Sequence, residues 1–265
     1  MGGDPGEIEA SAGSARGRVP VRHLRWEAGE LVPGPVVEPE ITTSFLLDHG
    51  RVVGLSAHQQ RFAGWVPGVV PVGFFGAVRD ALPREGQWFP RIGWDSRDGH
   101  GRFGVTIRPA PPLRHTSSLW IPDLTDPRRR HTVKGPDLPV LARLRTLATD
   151  YHCDDALLID EHGVVLEAAN AAVVFWRDPH TVILPARPAL PSVTLRQTLP
   201  LWRDAGITII RADTRQLQLP AWCGSALHGW TPVTHWGRGA GRIKAAPAPP
   251  VERWNEALWE QAEEL

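Results

Sequence analysis

Residues 134–167 read KGPDLPVLARLRTLATDYHCDDALLIDEHGVVLE. After a lysine and a Gly-Pro break, DLPVLARLRTLATDY carries apolar residues at helical spacing. DDALLIDEHGVVLEAANAAVVFW then reads as a strand, a turn at EHG and a second strand. Two residues stand out. Lys134 is one of two lysines among 29 Lys+Arg, the other being Lys244 in the Pro/Ala-rich GRIKAAPAPP. Glu167 is the lone charge in GVVLEAANAAVVFW. Burying an acid in such a strand is costly unless it is paired, so Glu167 calls for a cationic or protonated partner inside the protein. A lysine amine becomes a nucleophile when burial or nearby cations lower its pKa, and its typical use is a Schiff base. Arg128, Arg129 and Arg130, just upstream, are expected to act in that direction. The competing readings are a solvated basic stretch for Lys134 and a water-facing strand edge for Glu167.

Outward from this stretch, strands and helices mix without strict βαβ alternation, which argues for an α+β or mixed α/β fold. On the N-terminal side, RHLRWEAGELVPG predicts a short strand or a hairpin, and EITTSFLLDHGRVVGL two strands about a turn at DHG. SAHQQRFAGW opens a helix with Ser56 as its N-cap, PVGFFGAVRDALP is a second helix, and GRFGVTIRPAP is a strand. The Pro-rich, polar run PAPPLRHTSSLWIPDLTDPRRR marks a linker. The expected organisation is therefore a disordered leader over 1–20, a small N-terminal α/β domain over 21–112, a linker over 113–130 and a larger C-terminal α/β domain over 131–265. In that last part TVILPA and ITIIRADT read as strands, SVTLRQTLPLWRDAG as a helix, and PPVERWNEALWEQAEEL as an amphipathic helix with Trp254, Leu258 and Trp259 on one face.

Composition narrows the chemistry. A formal net charge of zero gives no bulk attraction to nucleic acid or an acidic membrane. No run of about 18 apolar residues suggests a membrane helix, and the first residues lack the apolar core of a signal peptide, so the expectation is a cytoplasmic protein. Cys153 and Cys223 form no disulfide framework, and the eleven histidines show no metal-ligand spacing, so no metal is expected. Glycine-rich nucleotide loops and a GxSxG elbow are missing. Arg61 after a helix start, and LPSVTLRQTL as a turn into a helix, offer an anion seat, because a helix N-terminus presents free N–H groups and partial positive charge.

In combination these segments resemble the class IV aminotransferases, the fold-type IV enzymes of pyridoxal 5'-phosphate. That family includes D-amino-acid and branched-chain aminotransferases and 4-amino-4-deoxychorismate lyase, the last of which looks most similar. ITTSFLLDHGRVVGLSAHQQRF is similar to the lyase segment in which a Thr-Thr strand leads to the phosphate-binding arginine, a role that falls on Arg61. The order of lysine, helix, strand, glycine turn and glutamate matches the family's, making Lys134 the Schiff-base lysine and Glu167 the partner of the pyridine nitrogen. LPSVTLRQTL resembles the family's phosphate turn and puts the N–H groups of Val193 and Thr194 on the phosphate; GSALHGWTPV resembles the second phosphate segment, with Ser225 as ligand. The resemblance spans roughly residues 40–240. It departs at VVEPEITTSF, where the family has Gly-Asp-Gly, at Phe45, where an arginine is usual, at Ala172, where asparagine is usual and Asn170 comes early, and at Ser192, which replaces a glycine.

The resemblance implies a two-domain, D-amino-acid-aminotransferase-like fold, a small-molecule amine substrate and a homodimer. Thr42 and Thr43 favour pyruvate elimination giving 4-aminobenzoate, with Thr43 and Arg108 expected to touch substrate. The alternatives are an aminotransferase for branched-chain or D-amino acids and a non-catalytic cofactor-binding protein.

Overall fold

The computed structural model describes residues 20–96, 101–215, 217–239 and 241–265. The leader expected over 1–20 lies, but for its last residue, outside the described residues. In the first part of the chain run β1 (Arg22–Glu27), β2 (Glu30–Pro33), β3 (Ile41–Ser44), β4 (Leu47–Asp48), β5 (Arg51–Val52), α1 (Leu55–Ala63), α2 (Phe74–Ala81), β6 (Gln87–Trp88), β7 (Arg91–Asp95) and β8 (Arg102–Ile107). There follow β9 (Ser117–Trp120), α3 (Leu138–Asp150), β10 (Asp155–Ile159), β11 (Val165–Ala168), β12 (Ala172–Asp178), β13 (Thr181–Pro185), α4 (Val193–Asp204), β14 (Thr208–Ala212), β15 (Ala221–Ser225), β16 (Gly229–Arg238), β17 (Gly241–Lys244), α5 (Glu252–Glu260) and β18 (Glu263–Glu264).

One sheet has the order β2-β1-β8-β7-β3. Of the two readings of this segment, strand or hairpin, the β1–β2 hairpin forms, because Ala28 and Gly29 both take positive φ, the geometry a two-residue turn needs to match strand twist. His49 and Gly50 repeat this between β4 and β5. Alternation along the strands sends Ile41, Ile92, Val105 and Ile107 into a core with Phe62, Phe74 and Val78 of the two helices. The segment expected as two strands about DHG is three, because the chain leaves the sheet at Phe45, buried against His58, and Leu46 N–H bonds instead to Ala226 O at 2.8 Å.

The larger sheet runs β11-β10-β9-β16-β15-β12-β13-β14, with β17 paired to β16. Two expectations are corrected here. The linker expected over 113–130 contains β9, whose four residues are all buried and which lies between β10 and β16. Prolines flank it, but SSLW packs as a central strand. The run after EHG breaks at Ala168–Ala171, where the two residues exchange backbone hydrogen bonds, giving β11 and β12 in place of one strand. A third, small sheet of β18-β5-β4-β6 brings the C-terminal strand back to the first part of the chain, across the expected boundary at 131. Through it Glu263 accepts the backbone N–H of Ser56 at 3.0 Å and its hydroxyl; the helix cap is Gly54, in left-handed conformation, and Ser56 lies one position inside the helix.

The tryptophans are interior packing. Trp176, Trp202, Trp222, Trp230 and Trp254 form one core with α4 and α5 on one face of the larger sheet. Trp254 and Leu258 of α5 enter it, while Trp259 is half-buried. Among the described residues no helix is long and apolar enough to cross a membrane, and no group of three or more His, Cys, Asp or Glu is placed to hold a metal.

Candidate active site

The two larger sheets meet at the lysine. Lys134 O accepts the N–H of Thr42 on the edge strand β3 at 2.7 Å, so the lysine is stitched to the first sheet. The next residue is glycine for a steric reason. Gly135 has φ +148°, and a Cβ there would fall on the Glu40 carbonyl oxygen. Glu167 stands on β11 of the second sheet, and the start of α4 closes the space between them. The resulting cavity, about 640 Å³ including space open to solvent, is lined by Arg61, Lys134, Glu167, Val193, Thr194 and Ser225 together. All six residues expected to hold one ligand converge, although they come from five different elements or connections.

The Lys134 side chain is covered by protein except where it faces this cavity and a larger one beside it. Among the described residues its amine has no hydrogen-bond partner. Burial, seconded by Arg61, lowers its pKa to about 8, against the opposing pull of Glu167 and Asp155. The arginines expected to do this lie otherwise. Arg129 and Arg130 are exposed, their backbone N–H groups bonded to Asp137 at 3.1 and 2.8 Å, and the Arg128 side chain turns to two carboxylates.

Glu167 has the cationic partner its burial demands. Oε1 accepts from Arg128 Nη1 at 2.6 Å and from the Leu190 N–H at 3.0 Å. Arg128 also forks onto Asp126, and its side chain is only 4% exposed. Burial pushes the Glu167 pKa up, and Arg128 opposes it. No hydrogen bond engages Oε2 among the described residues, so this cavity-lining residue keeps acceptor capacity available. Nothing in the sequence separated Arg128 from its two neighbours; pairing with Glu167 across 39 positions is a tertiary fact.

Arg61 donates to Pro191 O at 2.8 Å and to Thr43 Oγ1 at 3.1 Å, and its Nε is buried with no partner. Among the described residues none of its hydrogen bonds goes to a carboxylate, and burial lowers its pKa to about 10. Pro191 immediately precedes the α4 cap, Ser192, whose hydroxyl accepts the Leu195 N–H at 3.2 Å. Val193 and Thr194 are the first helical residues, so their N–H groups have no intrahelical acceptor. A guanidinium that, among the described residues, makes no ion pair and a bare helix start thus share one wall, the composition of an anion seat.

Thr43 does not touch the space expected of it. Strand alternation places Thr42 and Ser44 on the cavity side and Thr43 on the core side, fully buried, where its hydroxyl meets Arg61 and His58 Nδ1 at 2.8 Å. Thr43 Oγ1 thus joins Arg61, from which it accepts, to the His58 ring. Burial, with Arg61 and Lys134, holds the His58 pKa well below its ordinary value. His58 and Arg61 lie one helical turn apart, the one sequence signal that could have joined them. Asp155 also escaped notice: its carboxylate accepts the N–H groups of Ala156 and Asn170, fixing the break after β11, and burial raises its pKa to about 6.

Arg108 lines the larger cavity, as do Thr42, Lys134, Asn170 and Ser225. Its guanidinium donates to Phe89 O at 3.0 Å and stacks over the Phe89 ring at 5.0 Å. The displaced Asn170 lines both cavities, and its amide oxygen accepts from Arg145 Nη1 and Nε at 2.8 and 3.0 Å.

The sequence pattern of the family described as amino-transferase class IV matches residues 73–236. Among solved structures, a hypothetical aminotransferase from Mycobacterium tuberculosis in a PLP-bound form superposes with TM-score 0.73 at 16% identity, covering 90% of this chain and 97% of that one. A fold IV-transaminase from Curtobacterium pusillum gives 0.75 at 14% identity, covering 91% and 98%. The branched-chain aminotransferase from the archaeon Thermoproteus uzoniensis, with norvaline, gives 0.73 at 15%, covering 90% and 95%. At such identities the likeness carries the fold alone. No curated protein is similar enough in sequence to match.

Proposed function

The chain belongs to the class IV aminotransferase family, and from that premise we propose that it is a pyridoxal 5'-phosphate enzyme whose reactive amine is Lys134, acting as a lyase on 4-amino-4-deoxychorismate. The observation that carries the cofactor reading is the convergence of Lys134, Glu167, Arg61 and the α4 N-terminus on one cavity. Each group fits one part of pyridoxal phosphate. The Arg61 Nε, the free N–H groups of Val193 and Thr194 and the Ser225 side chain suit a phosphate; the Glu167 carboxyl, paired with Arg128, suits the ring nitrogen; Lys134 would supply the amine that holds the aldehyde. Arginine could not replace that lysine, because it stays protonated.

When bound, the cofactor supplies an electron sink for charge developing on the substrate carbon. Lys134, with its pKa drawn toward neutrality, is suited to take the proton from the amine-bearing carbon as a base. In the lyase reaction the ether C–O bond of the substrate then breaks, pyruvate leaves, and the ring becomes aromatic as 4-aminobenzoate. Arg61, held by Thr43 and by Pro191 O, fixes orientation.

Amino transfer between an amine and a keto acid is a second reading, favoured by one observation. The Thr42 hydroxyl donates to Ile92 O at 2.6 Å and Thr43 is in the core, so the Thr-Thr pair that favours the lyase presents no uncommitted hydroxyl to substrate. The two separate in one assay on protein loaded with pyridoxal phosphate. Stoichiometric pyruvate and 4-aminobenzoate from 4-amino-4-deoxychorismate, with a visible absorption band that ignores L- and D-amino acids, identifies the lyase. Bleaching of the band by one donor without pyruvate release identifies the transferase. A visible spectrum unchanged by Lys134→Ala sinks both. We also expect a homodimer, which light scattering in solution checks.

A further inference from the structure

We propose that His228 reads an uncharged oxygen of the substrate, an ether or a hydroxyl, by donating its Nε2–H in the cavity beside Lys134. This rests on the reading of Lys134 as the reactive amine. The cavity, about 1730 Å³ including space open to solvent, is lined by His228 together with Lys134, Arg91, Arg108, Arg114 and Arg145. Among the described residues His228 is the one histidine in that lining.

The fold builds this position. Ser225 and Gly229 pair as the facing ends of β15 and β16, so Ala226, Leu227 and His228 form the turn between them. That turn is pinned on several sides. The Leu46 N–H donates to Ala226 O at 2.8 Å, and the His228 N–H donates to Ser225 Oγ at 3.1 Å. Just beyond, Asn255 of α5 accepts the Trp230 N–H at 2.8 Å and donates to Trp230 O at 2.9 Å. The ring itself is oriented by the backbone N–H of Arg114, which donates to Nδ1 at 3.2 Å. A backbone N–H can only donate, so Nδ1 is the unprotonated nitrogen and the ring proton sits on Nε2. Among the described residues no hydrogen bond engages Nε2, so this cavity-lining ring keeps one donor available. His58 differs, because its Nε2 is buried in protein.

The surroundings set the charge of the donor. Burial first, then Arg114, lower the His228 pKa to about 4, against the opposing pull of Asp154. At neutral pH the side chain is therefore an uncharged donor among guanidiniums. The arginines of the same lining suit carboxylates. Desolvated for an uncharged oxygen, a guanidinium forfeits its hydration without gaining a counter-charge, whereas a neutral imidazole loses far less. A site built around such a donor rejects an analogue without the oxygen, because the N–H is then left unpaired.

The test is calorimetric binding to the full chain loaded with pyridoxal phosphate, comparing 3-methoxybenzoate with 3-ethylbenzoate. The two acids match in charge and size and differ by an ether oxygen against a methylene. Like 4-amino-4-deoxychorismate, the first carries that oxygen meta to a ring carboxylate. We expect it to bind about fivefold more tightly, a neutral hydrogen bond's usual share. A second pair, 3-hydroxybenzoate and 3-methylbenzoate, tells hydroxyl from ether: the pair with the larger His228-dependent preference names the oxygen. His228→Phe should abolish the preference while the Lys134-dependent visible band persists. Two further variants separate recognition from packing. His228→Asn keeps an acceptor for the Arg114 N–H without the reach of Nε2, and should lose the preference. His228→Gln carries an amide N–H to the Nε2 position and should keep part of it. Equal affinities within both pairs, binding of none of the four acids, or a preference that survives His228→Phe would overturn the proposal while leaving the cofactor reading intact. So would a preference kept by asparagine and lost by glutamine. Conversely, absence of the visible band with the preference still dependent on His228 would remove the enzymatic reading and leave a cavity that recognises the oxygen.

Discussion

Helix α4 connects two regions built on opposite terms. Its later residues enter the tryptophan core: Trp202 lies within 5.5–6.3 Å, centroid to centroid, of Trp176, Trp222, Trp230 and Trp254. Its first residues border the Lys134 cavity, where, among the described residues, an amine without a hydrogen-bond partner, a guanidinium without an ion pair and bare N–H groups face one space. The core supplies contact area and aromatic edge-to-face geometry. The cavity lining is a collection of destabilising features that a ligand would satisfy. Even the core is imperfect, since among the described residues the indole N–H groups of Trp176 and Trp202 have no partner, whereas Trp230 donates to Thr198 and Trp222 to Pro249. The lesson is that α4 is anchored at one end so that its other end can remain unsatisfied at a fixed place.

The sharpest way to break the contrast is Trp202→Ala. Removing the fully buried ring should cost about 3–5 kcal/mol of stability, read from denaturant midpoints. Loss of cofactor affinity should accompany it, because the start of α4 would lose its anchor. A destabilised variant that still bound cofactor at full affinity would show that the two ends of the helix are independent.

Lys134→Met should do the reverse. Activity and the visible band disappear, yet the unloaded protein becomes more stable at neutral pH by about 2 kcal/mol. That figure is below the full equivalent of the lowered pKa, because the amine faces cavities instead of packed protein. The sign follows from proton counts. With the folded pKa lowered to about 8 from 10.5, the unfolded chain binds more protons between those values, so wild-type stability rises with pH across that window. The gain from methionine should therefore be fully present below pH 8 and vanish above about 10.5. Thermal melts of both proteins across pH 7–11 measure it.

Thr43→Val probes the joint between the regions. It removes the hydroxyl between Arg61 and His58 while keeping shape, and should weaken cofactor phosphate binding by about 1–2 kcal/mol, read by titrating the unloaded protein. The smallest expected effect is kinetic. The rate at which unloaded protein captures pyridoxal phosphate should rise with pH and level off above about 8, since the neutral amine is the nucleophile. A rise continuing toward pH 10.5 would mean that Lys134 behaves as a solvated lysine.

Much was legible because the relevant signals are local or ordered along the chain. Left-handed Ala28–Gly29 and His49–Gly50 are turn chemistry, and α3 and α5 are periodicity. Lys134 and Glu167 stood out against their immediate neighbours, one as a rare amine, the other as a lone acid in an apolar run. What escaped depends on partners far apart in the sequence. β9 was hidden by the prolines around it; a four-residue strand is fixed by its neighbours β10 and β16, not by its own length. Thr43 was assigned to substrate because a sequence shows that two threonines are adjacent but not which face of the sheet points inward, and one position of alternation exchanges core for cavity.

By itself, then, the sequence determined the mixed α/β class, the order lysine–helix–strand–glutamate and the identity of the groups able to do amine chemistry, since these follow from residue type and short-range spacing. Only the tertiary structure decided that Arg128 neutralises Glu167, that Arg61 and α4 share a wall, and that four arginines surround the space beside Lys134. Electrostatic partnership is set by distances of a few ångströms in space, and a chain of 265 residues brings such groups together only when its sheets close on one another.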